Sequence, residues 1–186
     1  MAIYVTSDYH FGHDKEFCYA PRGFKSEKEM TETLIFNHNS IVNSNDDVYF
    51  LGDLILGSTD ENFYRWVINS LNGKLHLIRG NHDSKRRMEI YVEMPNVVEV
   101  CDAKFLDYNK WHFFLCHYPA LVENNAEKLP LAMVNLCGHS HTKDRFADFD
   151  KGLIYHCEVD AHDNKPVLLD DIIKELKMVQ KSMPKI

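Results

Sequence analysis

The chain lacks any apolar stretch near the ~20 residues that a bilayer-spanning helix requires, because charged residues break up every such run. It also lacks a secretory start. Ala2 to Ser7 lead straight into Asp8 and His10 with neither a basic flank nor a small-residue cleavage site, so a cytoplasmic protein is expected. Cys18, Cys101, Cys116, Cys137 and Cys157 are odd in number, scattered and without a CxxC pair, which argues against a disulfide framework and a thiolate zinc site and predicts reduced thiols. Excess positive charge is missing too: a net charge of −7 and a pI near 5.8 speak against an extended nucleic-acid track. No repeat, low-complexity tract or Gly/Ser-rich linker occurs, so residues 1–186 are read as a single domain, and a hydrophobic content of 45% is enough to fill its core.

What the chain has in surplus is histidine, 11 residues against 5 cysteines, and imidazole is both a common neutral metal ligand and a proton carrier. Short, β-rich apolar segments predict strands at Ile3 to Thr6, Val48 to Leu51, Lys74 to Arg79, Ala103 to Tyr108, Trp111 to Cys116, Val134 to Cys137 and Leu153 to Cys157. Met30, Leu34, Ile35, His38 and Ile41 recur at helical spacing over Glu27 to Val42, and Ser26 with Glu29 resembles a capping box at its start. Further helices are expected over Asp60 to Leu71, closed by Asn72 and Gly73, and over Asp170 to Val179. This alternation indicates an α/β chain with parallel pairing in its first half. From residue 97 the strands crowd together, which predicts antiparallel pairing there.

The polar residues that carry chemistry stand just after predicted strands, where loops of an open α/β sheet converge on ligands. Asp8 and His10 lie two apart, so in extended chain both would face one side. Asp53 follows Gly52 at a strand end, and its carboxylate has lone pairs enough to serve two ions. Asn81, His82 and Asp83 emerge from one tight loop after Gly80; His117 surfaces from an apolar strand; His139 and His141 follow Gly138. Each pattern alone has an ordinary reading, as a turn aspartate, a surface histidine or a core histidine bonded to backbone. Together they do not: histidine falls at a given position about once in seventeen by composition, and these positions fill in order along the chain.

The ordered set Asp8-x-His10, Gly52-Asp53, Gly80-Asn81-His82-Asp83, His117 and Gly138-His139-x-His141 resembles the calcineurin-like metallophosphoesterases. The resemblance implies a four-layer α/β/β/α sandwich of two mixed β-sheets flanked by helices. It implies two divalent metal ions, one held by Asp8, His10, Asp53 and His141 and the other by Asp53, Asn81, His117 and His139, with Asp53 bridging. His82 matches the family histidine that contacts the scissile phosphate or protonates the leaving oxygen, and Asp83 would orient it. Such a pair of ions lowers the pKa of a bridging water toward neutrality and so provides a hydroxide for in-line attack on phosphorus.

Imidazole, carboxylate and amide ligands without thiolate suit Mn²⁺, which is favoured here, or Fe²⁺, Zn²⁺ or Ni²⁺, and disfavour Ca²⁺. Cys116 and Cys137, close to ligand histidines, are read as core packing. His13 and Arg22 are candidates for substrate contact; Lys25, Lys143 and Arg145 are basic residues near the same blocks, and Asp160 and Asn164 lie on a link that can approach the site. The chain has little room for a cap domain, so a small phosphodiester or phosphomonoester, a nucleotide among them, is the expected substrate, with the diester slightly favoured. The rival readings are a non-catalytic metal-binding scaffold of the same fold, and hydrolysis by a Ser or Cys nucleophile, against which stands the absence of a GxSxG elbow.

Overall fold

A computed structural model describes residues 1–57, 60–120, 133–146 and 153–182. The first sheet takes the order β4-β3-β2-β1-β9 from strands β1 (Ile3–Thr6), β2 (Asp47–Phe50), β3 (Lys74–Ile78), β4 (Val97–Cys101) and β9 (Val167–Leu168). Strands β1 to β4 run parallel, and β9 closes the edge antiparallel to β1. The second sheet has the order β5-β6-β7-β8, from β5 (Ala103–Tyr108), β6 (Trp111–Cys116), β7 (Val134–Cys137) and β8 (Ile154–His156). The protein is thus an α/β sandwich of two mixed sheets flanked by helices, as expected.

After the short α1 (Glu16–Tyr19), helices α2 (Glu27–Ile41), α3 (Glu61–Ser70) and α4 (Lys85–Val92) bury Met30, Leu34, Val67, Ile68, Ile90 and Tyr91 in a core with Val48, Phe50, Leu75 and Leu77 of the first sheet. A second core lies between the sheets: Val5, Tyr49 and Leu51 meet Trp111, Phe113, Leu115 and Leu136, and α5 (Leu169–Ser182) adds Leu169, Ile172, Ile173 and Leu176. Ser26 caps α2 by accepting the Glu29 amide at 3.2 Å, but Glu29 turns to the Lys25 amide at 2.7 Å instead of completing a capping box. Among the described residues no helix is long and apolar enough to cross a membrane.

The expected elements are present, β1, β5, β6 and β7 with the expected ends and the others with ends moved by at most three residues, and the pairing of the second half is a correction. Among the described residues of the second sheet only the β5–β6 pair is antiparallel; β6 with β7 and β7 with β8 are parallel. Residues 117–133 and 138–153 separate these strands, and each connection exceeds the dozen or so residues that a parallel crossover needs.

His38 shows what the first core does to a polar group. It is fully buried, accepts the Tyr9 hydroxyl at Nδ1 (3.1 Å) and donates from Nε2 to the Asn72 carbonyl (2.8 Å). Burial pushes its pKa down to about 4 from the ordinary histidine value of about 6.5. The folded state therefore resists a proton that the unfolded chain accepts, so the His38 contribution is fully present above pH ~6.5 and is lost as pH falls toward 4. The loss amounts to about 3 kcal/mol. Urea unfolding at successive pH values is expected to show this fall, with a shallower acid slope in His38→Gln.

Candidate metal centre

The site forms where the carboxyl ends of β1, β2, β3, β6 and β7 meet. Beyond β1 and β2 the chain does not stay extended: Asp8 donates its amide to the Gly52 carbonyl (3.0 Å), His10 to Asp53 (3.1 Å) and Phe11 to Leu54 (3.0 Å), zipping the two loops together. Asp8, His10, Asp53, His139 and His141 all sit in the left-handed region, with φ of 60°, 54°, 55°, 73° and 48°. They make up five of the nine described non-glycine residues with positive φ, a conformation that costs roughly 1–2 kcal/mol each. Strain concentrated on these residues is what a functional site stores. Convergence of Asp8 with His10 therefore comes from backbone twist, not from the alternation of an extended strand, which corrects the expectation for this pair.

Two clusters result. In the first, His10 Nε2 and His141 Nε2 are 3.0 Å apart and each lies 3.6 Å from Asp8 Oδ1. In the second, Asn81 Oδ1 lies 2.8 Å from His117 Nε2 and 2.9 Å from His139 Nδ1. Asp53 Oδ2 stands between them, 3.7 Å from His10 Nε2 and 3.5 Å from His117 Nε2. His139 and His141, neighbours in sequence, go to different clusters. Gly80 and Gly138 leave the room: a Cβ on Gly80 would overlap Asp53 Oδ1, and one on Gly138 would overlap Asp8 Oδ2 and the Ser7 hydroxyl.

These residues fit a cation on three grounds. Asp8 Oδ1 and His10 Nδ1 are buried without a hydrogen-bond partner among the described residues, and an unsatisfied buried carboxylate oxygen is costly. Donors held about 2.1 Å from one ion stand about 3.0–3.5 Å apart, close to the spacings found here. Finally, His117 donates Nδ1–H to the Leu51 carbonyl (2.8 Å), which leaves the Nε2 lone pair facing the site. Burial favours raising the Asp8 carboxyl, but the adjacent His10 imidazole, with the nearby His141 and the Ser7 hydroxyl, outweighs it and lowers it; burial lowers the His10 pKa and so favours the neutral, ligating imidazole.

His82 is the half-exposed member of the group, with its Nε2 3.9 Å from Asp53 Oδ2 and its amide donating to Asp53 Oδ1 at 2.8 Å. Asp83 does not orient that ring, a correction to the expected role. Its buried carboxylate accepts the Asp53 amide (2.7 Å) and the Gly80 amide (3.0 Å), so it braces the two loops from below. Burial, opposed by the Gly80 bond and reinforced by the nearby Asp53 charge, raises its pKa to about 6.

Arg22 is a second correction. Instead of facing substrate, its buried guanidinium grips Asp160 through Nε (3.0 Å) and Nη2 (2.8 Å) and donates to the carbonyls of Asp8 (2.8 Å) and Tyr9 (3.1 Å). Asp160 in turn faces His141 Nδ1 at 3.2 Å. Burial opposes ionisation of Asp160, yet the bonds from His141 and Arg22 prevail and hold its carboxyl at about 2. Asn164 donates to the Arg22 carbonyl at 3.2 Å, completing the buttress. Sequence reasoning noted Asp160 and Asn164 as near the site but had no signal for this link to Arg22, 138 positions from Asp160. Asp160→Asn is expected to weaken metal affinity about 10–100-fold, as loss of a ligand's supporting carboxylate does, measurable by metal titration in a competing chelator.

His13 reaches the rim, its ring 5.9 Å from that of His10. Arg145 pairs with Glu175 at 2.5 Å, away from the clusters. Cys116 and Cys137 are buried, as core packing requires.

Residues 1–158 match the family model described as the calcineurin-like phosphoesterase superfamily domain. The uncharacterized protein MJ1445 of Methanocaldococcus jannaschii is 35% identical over 175 residues, which cover 92% of this chain and 89% of that protein. The crystal structure of AQ665 from Aquifex aeolicus, a protein of unknown function, is similar at a TM-score of 0.70 with 23% identity, covering 94% of this chain and 98% of that one. At that identity the likeness concerns the fold alone.

Proposed function

Since the chain belongs to the calcineurin-like phosphoesterase superfamily, we propose that it is a metal-dependent hydrolase of small phosphoesters, phosphodiesters before phosphomonoesters, that works with two divalent ions. Asp8, His10, Asp53 and His141 would hold one ion and Asp53, Asn81, His117 and His139 the other. The observation that carries the reading is the buried Asp8 Oδ1, which has no hydrogen-bond partner among the described residues and stands 3.6 Å from both His10 Nε2 and His141 Nε2. The bound ions supply Lewis acidity toward the phosphoryl oxygens and a nucleophilic water at neutral pH. Manganese suits the nitrogen and oxygen donors, with iron, zinc or nickel as alternatives. The five free cysteines fit a reducing cytoplasm.

The chain's own residues supply the rest. The Leu51 carbonyl and Asp160 orient the His117 and His141 rings through their Nδ1 atoms. His82, exposed beside Asp53, is free to approach a bound ester and give its proton to the departing alkoxide. The Asp83 bonds to Gly80 and Asp53 fix the loop that carries His82.

The test is hydrolysis of chromogenic monoesters and diesters by metal-stripped protein with each divalent metal added back. Activity is expected to return with manganese. His82→Ala is expected to lose about 10²–10⁴-fold, and more with a poor alkoxide leaving group than with nitrophenolate. Absence of turnover with every metal, on protein that binds two ions, would favour the scaffold reading instead.

A further inference from the structure

Two cavities flank the metal centre, and they differ in chemistry. One, of 520 Å³, opens beside Asn81 and His117 and is edged by Arg79, Ser84, Lys85 and Tyr118. The other, of 730 Å³, opens beside His10, His82 and His141 and has walls of His13, Phe17, Pro21 and Leu56, with Lys15 among its lining residues. A phosphoryl group fills little of that volume; ~300–1,000 Å³ is the range of pockets that enclose a whole organic ligand.

The walls of this second cavity are continuations of the ligand loops themselves. Phe11 and Ile55 form a parallel bridge and Leu56 donates to the Phe11 carbonyl at 3.0 Å, so Leu56 is registered to His10 and Asp53. Further along the first loop, His13 donates its amide to the His10 carbonyl (3.1 Å) and Lys15 to His13 (2.8 Å), a tight path that leads to Phe17, another lining residue of the cavity. Phe17 lies 74% exposed, with the His13 ring meeting it edge-on at 5.4 Å. An aromatic ring left in water beside a histidine and a lysine is the arrangement that stacks a planar ring while an anion is held nearby.

We propose that the substrate is a phosphoester bearing a planar aromatic group of nucleobase type, and that this group occupies the cavity between Phe17 and Leu56 while its phosphate lies at the histidine clusters. The assignment rests on the phosphoesterase reading for the position of the phosphate. Phe17 is then a specificity residue that acts through binding.

Three non-hydrolysable probes of like charge test it by calorimetry on the manganese-loaded protein: methylphosphonate, cyclohexylmethylphosphonate and benzylphosphonate. Benzylphosphonate is expected to bind at least about tenfold tighter than methylphosphonate and tighter than the cyclohexyl analogue. Phe17→Ala should erase that advantage, a loss of about 5–100-fold, with methylphosphonate unaffected, and Phe17→Tyr should retain it. Equal affinity for all three probes, or a ring preference that survives Phe17→Ala and disappears in Tyr118→Ala, would overturn the assignment. Hydrolysis of a nitrophenyl diester by the same preparation judges the phosphoesterase reading separately, since the phosphonates report binding alone.

Discussion

Replacing Asp53 with asparagine is expected to cut metal-dependent kcat/KM by about a thousandfold or more, some 4 kcal/mol of transition-state stabilisation. Asp53 Oδ2 is the atom that both histidine clusters face, at 3.7 Å from His10 and 3.5 Å from His117. An amide there removes the negative charge that offsets two dications, and in one of its two orientations presents N–H groups to them. The fold should survive, because an amide oxygen can still accept the His82 amide that Asp53 Oδ1 now holds at 2.8 Å. Unchanged thermal unfolding of the stripped proteins, together with loss of turnover and of at least one ion by elemental analysis, is the predicted combination. A variant keeping a tenth of the activity would mean that Asp53 does not bridge.

Gly138→Ala should have the next largest effect, through space alone. Gly138 has ordinary negative φ, so alanine is not refused by the backbone; its methyl would overlap Asp8 Oδ2 and the Ser7 hydroxyl, both on fully buried residues. Asp8 Oδ2 also accepts the His139 amide at 2.9 Å, so one methyl displaces a carboxylate of the first cluster and the loop of the second. We expect about 1–3 kcal/mol of destabilisation from overpacking and a fall in manganese affinity of at least about tenfold, read by urea unfolding and by metal titration. Gly23→Ala is the control, since a Cβ there meets nothing within 4 Å although its φ of 89° strains the backbone. It should lose stability without losing metal.

The first sheet was legible because its strands are apolar and separated by helices of strong period, so Val48, Leu75 and their neighbours announced a parallel sheet. Strand β4 was not, since Val97–Cys101 is only partly buried and runs into β5 across the single residue Asp102. Helix α4 hid behind its charge: Lys85, Arg86, Arg87 and Glu89 occupy four of its eight positions, and only the Ser84 cap, accepting the Arg87 amide at 3.3 Å, marks its start. Strand β9 has two residues and is created by pairing with β1. The candidate ligands were readable because their residue types and order survive whatever the backbone does locally. Their left-handed conformations were not, and neither was the inward turn of Arg22, which depends on a carboxylate at Asp160 brought close by the link between β8 and β9. A basic residue in a loop near ligand blocks reads as a phosphate contact until the structure supplies a buried partner.

The most direct test of the central claim is anomalous X-ray scattering from crystals of the manganese-loaded protein. Two manganese peaks about 3.5–4 Å apart, one among Asp8, His10 and His141, the other among Asn81, His117 and His139, with the Asp53 carboxylate between them, are the predicted result. A single peak, or peaks that leave Asp53 unligated, would contradict the dinuclear site.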